Sequence, residues 1–150
     1  MGTTTFTGPV RAGNILNTSG TTLGTDIANV GYVVMAQSSA VTQASGATTI
    51  VAPASSQILS ISVMVTTVWS GAATTFGVGT TASATFLTAA AALDGVAVGP
   101  LSATPGTDAT RAGNWIDVGT TDRKIAVTST NTGTGVGVIT VTYIQAIDLT

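Results

Sequence analysis

The stretch "LSISVMVTTVWSGAATTFGVGTT", residues 59–81, decides the fold because apolar and polar residues alternate along its first half. Strict period-two alternation over eight residues predicts a β-strand with one buried face. One face of this strand takes Leu59, Ile61, Val63 and Val65, and the other takes Ser60, Ser62, Met64 and Thr66.

The second half of the stretch predicts a turn and a returning strand. Ser70 and Gly71 form a turn signal, and residues 74–81 are predicted to pair with the preceding strand as a hairpin. Apolar residues alternate there with Gly77 and Gly79, and glycines on one face of a strand indicate close approach of another backbone. The sequence around them lacks the Lys-Ser/Thr ending of a phosphate-binding loop.

Charge is absent from this stretch and from a long segment around it. The 67 residues 27–93 carry no formal charge, and 31 Thr and 12 Ser make up much of the chain. Thr is β-branched and favours strands, and its hydroxyl keeps a surface hydrated without charge. A membrane helix needs about 20 mainly apolar residues, whereas Thr, Ser or Gly interrupts every apolar stretch here. We therefore predict β structure with a neutral polar surface.

Several functional classes are disfavoured by composition. The net charge of −2 does not suit a nucleic-acid surface, which needs clustered Lys and Arg. The chain has no Cys, no His and no Glu, so the common general bases and metal ligands are missing. Asp117 and Asp122 bracket a short loop, but two carboxylates fall short of a calcium site. We predict a protein that is not an enzyme and has no metal, cofactor, nucleic-acid or membrane partner.

Further stretches also predict strands. Apolar residues on both faces of residues 30–37 predict a strand that is covered on both sides. Ile139, Val141 and Tyr143 share one face of the last strand, and the Gly-rich residues 131–135 predict a hairpin that joins the last two strands. The predicted strands outside the opening stretch are residues 30–37, residues 47–53, where Pro53 ends or offsets the strand, and residues 114–119, 122–130 and 135–147.

The remaining segments define the domain organisation. Residues 84–95 suit a turn or two of helix or a loop, and residues 99–114, with two Pro and three Gly, predict a long loop. Residues 1–27 lack periodicity and predict an extended N-terminal arm. Six to eight short strands in residues 28–150 predict an all-β fold, an antiparallel β-sandwich of jelly-roll type. The first residues also lack the basic and apolar regions of a signal peptide.

Three segments resemble virion structural proteins of tailed bacteriophages. "APASSQILSISVMVTTVWSGAATTFGVGTTASATFL" is similar to a pattern in which a "PAGS" turn, "VTTAFxGG" and a "VGT" strand follow one another. "GTGVGVITVTYIQA" resembles the closing hairpin of that family, and "TTTFTGPVRAGN" resembles the start of such proteins. The resemblance covers roughly residues 50–88, 124–147 and the first dozen.

The resemblance implies a capsid decoration (cement) protein, typically a homotrimer, that binds the major capsid protein on the exterior of the virion and is made in the host cytoplasm. We expect residues of the arm to attach it to the shell through apolar anchors, a rigid extended segment and one cation. These residues are Phe6, Pro9, Val10 and Arg11. We expect the subunit interface to include Met64, Trp69 and Trp115.

Two other functions remain open from the sequence. A phage fibre or receptor-binding module would use Trp69 or Trp115 to stack against a host glycan. A cellular surface-array or pilus-like protein would share the neutral β-rich composition, although the missing signal peptide disfavours it.

Overall fold

The computed structural model describes residues 32–146, with side chains described from Val34 to Ile144. It contains eight strands and one short helix. In chain order they are β1 (Tyr32–Thr42), β2 (Gly46–Ala52), β3 (Ser56–Thr67), β4 (Thr75–Thr80), β5 (Leu93–Asp94), β6 (Gly99–Ser102), α1 (Ala109–Ile116), β7 (Arg123–Ser129) and β8 (Val136–Ala146). The predicted arm, residues 1–27, lies outside the described residues.

The strands form two four-stranded sheets, which we call the first sheet (β1-β8-β3-β6) and the second sheet (β2-β7-β4-β5). Each strand of the first half of the chain neighbours one from the second half: β1 with β8, β2 with β7, β3 with β6 and β4 with β5. A chain that folds back on itself and then rolls up produces this order, which is that of a jelly roll. The predicted antiparallel β-sandwich is therefore confirmed.

The two predicted hairpins are wrong. Residues 68–74 lead from β3 in the first sheet to β4 in the second, and residues 130–135 lead from β7 in the second sheet to β8 in the first. Glycine-rich turn signals predict that the chain changes direction, but they do not predict whether the next strand belongs to the same sheet or to the other one. In the described chain, β4 and β5 are the consecutive strands that pair with each other.

A β-bulge changes the buried face of β3. Pairing with β8 shifts register between Ile58 and Ser60, so Leu59 is the extra residue and its side chain is 43% exposed. Ile58 takes the predicted place of Leu59 in the core. Ile61, Val63 and Val65 are buried as predicted.

The core lies between the two sheets. The predicted apolar face of the last strand is confirmed, because its three residues are all buried. The indole ring of Trp69 stacks on Phe76 with a centroid distance of 4.1 Å. The largest fully buried side chains are Tyr143, Phe76, Ile50, Ile61, Leu87, Ile125 and Ile139, together with Gln43.

Gly77 and Gly79 confirm the prediction of a close backbone approach. A Cβ atom at Gly77 would lie 2.5 Å from the carbonyl oxygen of Ala89, and one at Gly79 would collide with the carbonyls of Ser83 and Ala84. Residues 83–90 therefore lie directly against β4, and this segment is a loop rather than a helix.

The helix α1 falls where the sequence predicts a loop and a strand. Asp108 is its N-cap: the Asp108 carboxylate accepts a hydrogen bond of 2.8 Å from the backbone N–H of Arg111. Residues 114–116 belong to this helix instead of a strand. Helix propensity does not predict α1, because Gly113 and the nearby prolines are unfavourable in helices.

The prediction that residues 30–37 are covered on both faces is wrong for the part described. Val34 and Met35 are both exposed. The outer face of the first sheet has no second layer over it in this two-layer sandwich, and β1 also lacks a neighbouring strand on one side because it is an edge strand.

Two glutamine side chains make hydrogen bonds to the backbone of segments that are distant in sequence. The Gln37 amide pairs with both backbone groups of Val51: its Nε2 donates to the carbonyl at 2.7 Å, and its Oε1 accepts from the N–H at 3.1 Å. Gln43 does the same with Ser70 and also accepts from the N–H of Gly135. The Gln37 side chain thus bridges β1 of the first sheet and β2 of the second, and the Gln43 side chain bridges the end of β1 and the connections at residues 68–74 and 130–135.

Candidate interaction surface

Of the residues predicted to lie at interfaces, some fall outside the described residues and others lie on the surface or in the core. Phe6, Pro9, Val10 and Arg11 lie outside the described residues, so their predicted role in attachment stays a prediction. Met64 is 46% exposed in the middle of β3, where it is available to a partner.

The two tryptophans contact their own chain. Trp69 is 3% exposed, because side chains are absent at Gly95 and Gly135 and the indole ring fills both positions. Trp115 is half-buried, packs on the core and donates its indole N–H to the carbonyl of Leu87 at 2.9 Å. Trp69 has almost no surface to offer to a glycan or a neighbouring subunit, and Trp115 has part of its ring.

Met64 belongs to a wider surface, the outer face of the first sheet. Along the strands of this sheet, the side chains that point away from the core are all exposed or half-buried. We call this surface the neutral face. It consists of Val34, Ala36, Ser38, Ala40 and Thr42 of β1, Val136, Val138, Thr140 and Thr142 of β8, Ser60, Ser62, Met64 and Thr66 of β3, and Pro100 and Ser102 of β6.

Register arranges the neutral face in rows across the strands. An apolar row has Met64 of β3 opposite Val138 of β8 on one side and Pro100 of β6 on the other. The next row consists of hydroxyls, with Ser62 opposite both Thr140 and Ser102. Cross-strand neighbours on one face lie about 5 Å apart, so each row is continuous over three strands.

The hydroxyl row extends to the edge strand. The hydroxyls of Ser38 and Thr140 lie 2.8 Å apart and share a hydrogen bond. Eight of the fifteen side chains of the neutral face carry a hydroxyl, and most of the others are Ala or Val. Short side chains leave the face flat, and Met64 is its one long flexible side chain.

Charge is confined to the other parts of the described chain. The four strands of the first sheet contain no charged residue between residues 32 and 146. The charged residues of that range lie in the second sheet, in α1 and in the loops beside them. They are Asp94, Asp108, Arg111, Asp117, Asp122, Arg123 and Lys124.

One of the pockets in the described part of the chain lies beside α1. It has a volume of about 280 Å³ and is lined in part by Phe86, Asp108, Arg111 and Asn114. Its polar groups serve the local fold: Asn114 donates to the Phe86 carbonyl and Arg111 to the Pro105 carbonyl, both at 2.8 Å. The pocket is therefore a weaker candidate than the neutral face.

Within residues 32–146, no three His, Cys, Asp or Glu side chains come together in the way that a metal site requires. No helix in the same range has the length and apolar character needed to cross a membrane.

The arrangement defines a jelly-roll β-sandwich that has one broad uncharged outer face. The sequence predicted Met64 as a member of this surface, but not its neighbours on β1 and β8, which are distant in the chain. Alternation along "VGVITVT" is the signal that points to Val138 and Thr140. Their position beside Met64 follows from the strand order.

Comparison with known proteins supports the fold. The capsid structure of Helicobacter pylori bacteriophage KHP30, described as acidic stable, contains a similar chain with 17% identity and a TM-score of 0.50, covering 75% of this chain and 88% of that one. The cyanophage Pam1 capsid asymmetric unit contains a chain with 21% identity and a TM-score of 0.46, covering 76% of this chain and 86% of that one. No protein-family model matches the chain, and no curated protein matches it.

Proposed function

We propose that this chain is a structural protein of a bacteriophage particle, which decorates and stabilises the outside of the capsid as a homotrimeric cement protein. The observation that carries the proposal is the jelly roll shared with a chain of a phage capsid structure over 88% of that chain. The neutral face adds a surface suited to protein contacts, because burying it leaves no unpaired charge. Many weak contacts that are repeated over a symmetric shell then give large avidity.

The copy number in purified particles tests this proposal. Quantitative mass spectrometry of virions from a phage that encodes this chain should give on the order of hundreds of copies, as a repeated shell requires. A few dozen copies or fewer would favour the fibre or receptor-binding alternative. Absence from the particle would overturn a virion role.

Attachment to the major capsid protein is assigned to Phe6, Pro9, Val10 and Arg11. Burying two apolar side chains contributes roughly 1.5–3 kcal/mol each, so the full chain with Phe6→Ala and Val10→Ala should bind undecorated capsids at least about tenfold more weakly. The matched control is the full chain with Thr3→Ala and Thr5→Ala, which removes no large apolar group. Equal saturation curves for the two variants would remove this assignment.

A further inference from the structure

We propose that the neutral face lies against the symmetry axis that relates copies of this chain, so that the neutral faces of neighbouring copies meet. The inference rests on the proposed homotrimer and assigns a surface to its contact. Its partner is a second copy of this chain, and its centre is the row that contains Met64, Val138 and Pro100.

Symmetry explains why this face carries no charge. In a trimer the same side chain recurs around the three-fold axis, so a side chain next to the axis meets its own copies, whereas contacts farther from the axis join different residues. A Lys or Asp in that position would face a like charge and lose its water, which costs free energy. Hydroxyls avoid this cost, because each one both donates and accepts a hydrogen bond. Met64 and Val138 likewise pack well against copies of themselves.

The other described surfaces do not meet this condition. The second sheet carries Lys124 and Asp94 on its strands, and its outer face is covered beside β4 by residues 83–90 of the same chain. The helix α1 and its flanking loops also carry charged residues, among them the ion pair of Arg111 and Asp108. Among the described surfaces, the neutral face is therefore the one that can lie against its own copies without bringing like charges together.

The size of the neutral face predicts a weak contact in solution. Four strands that lie about 4.8 Å apart, each rising about 3.3 Å per residue over roughly eight residues, present on the order of 500 Å² per copy. Stable complexes bury about 800 Å² per partner. We expect free copies to associate weakly and the shell to strengthen the contact by holding them close together.

Cysteine crosslinking tests the contact, because the full chain has no Cys and a single introduced thiol reports its own neighbours. The test variant is Met64→Cys in the neutral face. The matched control is Thr49→Cys, which is also an exposed position within a strand but lies in β2 of the second sheet. Both purified proteins are oxidised at the same high concentration, and covalent dimers are followed on non-reducing gels.

We expect the Met64→Cys protein to form disulfide-linked dimers at least about tenfold faster than the Thr49→Cys protein, since the face concentrates two thiols at one contact. Adding Ser62→Lys to the Met64→Cys protein should remove this advantage by placing like charges on the same axis. Equal rates for the two single variants, or faster crosslinking at position 49, would overturn the inference. Matching circular dichroism spectra and melting temperatures verify that all variants fold.

The same variants separate this inference from the proposed function. Selective crosslinking at position 64 in a chain that is absent from virions would sustain the contact and refute the capsid role. Unselective crosslinking in a chain present at high copy number would refute the contact and sustain the capsid role.

Discussion

Gln43 shows how much one buried polar side chain can hold together in this fold. Its side chain is fully buried, and its amide bonds both backbone groups of Ser70 as well as the N–H of Gly135. Its own backbone N–H donates to the Gly135 carbonyl at 2.8 Å. The residue thereby joins the end of β1 to residues 68–74 and 130–135, which are two of the connections that cross between the sheets.

Replacing Gln43 with Ala should lower the free energy of unfolding by about 2–4 kcal/mol, because buried backbone groups lose their partners and a cavity forms. The control is Gln57→Ala at an exposed position of β3, which should change stability by less than about 0.5 kcal/mol. Urea denaturation of the full chain measures both. Similar midpoints for the two variants would show that the Gln43 hydrogen bonds add little.

At the scale of elements, the space around a glycine differs between α1 and β4. In α1, a Cβ atom at Gly113 would meet no atom within 4 Å, so nothing requires glycine there. In β4, by contrast, Gly77 lies directly under the carbonyl of Ala89. The same substitution should therefore have opposite effects in the two elements.

Gly113→Ala should raise the free energy of unfolding by about 0.5–1 kcal/mol, because alanine has the higher helix propensity. Gly77→Ala should lower it by about 1–3 kcal/mol, because the loop at residues 83–90 has to move away from the strand. Thermal melts of the full chain measure both. A Gly77→Ala protein as stable as the wild type would contradict the close packing of that loop.

The elements also show where prediction from sequence fails. The sequence correctly predicts strands over parts of β1, β2, β3, β4, β7 and β8. In β3 and β8 the prediction comes from alternation, because period two follows from strand geometry alone. The bulge at Leu59 was missed, since an extra residue in one strand is visible only against its partner. The helix α1 was missed because its formation depends on the cap at Asp108 and on packing against its neighbours, more than on propensity.

At the scale of the whole molecule, the composition predicts insensitivity to pH around neutrality. Folding stability varies with pH only where the folded and unfolded chains bind different numbers of protons. The chain has no His and no Cys, and His is the side chain whose ordinary pKa lies close to neutral. Because no side chain of this composition ordinarily changes its protonation near neutrality, the slope of stability against pH should be small in this window.

The melting temperature of the full chain should therefore vary by less than about 2 °C between pH 6 and pH 8 at constant ionic strength. Differential scanning calorimetry measures this directly. A steady change of more than about 5 °C over that window would reveal a coupled proton that the composition does not account for.

The sequence by itself determined the fold class and the neutral character of the surface. Both properties are local: alternation sets which side chains share a face, and the Thr- and Ser-rich composition sets what those faces carry. Only the tertiary structure decided the strand order, because the two halves of the chain pair through residues that are distant in sequence, 102 positions apart for Ser38 and Thr140. Ser38 beside Thr140 and Met64 beside Val138 are products of that order. The strand order places the four uncharged strands side by side in one sheet, so their neutral side chains form a single continuous face.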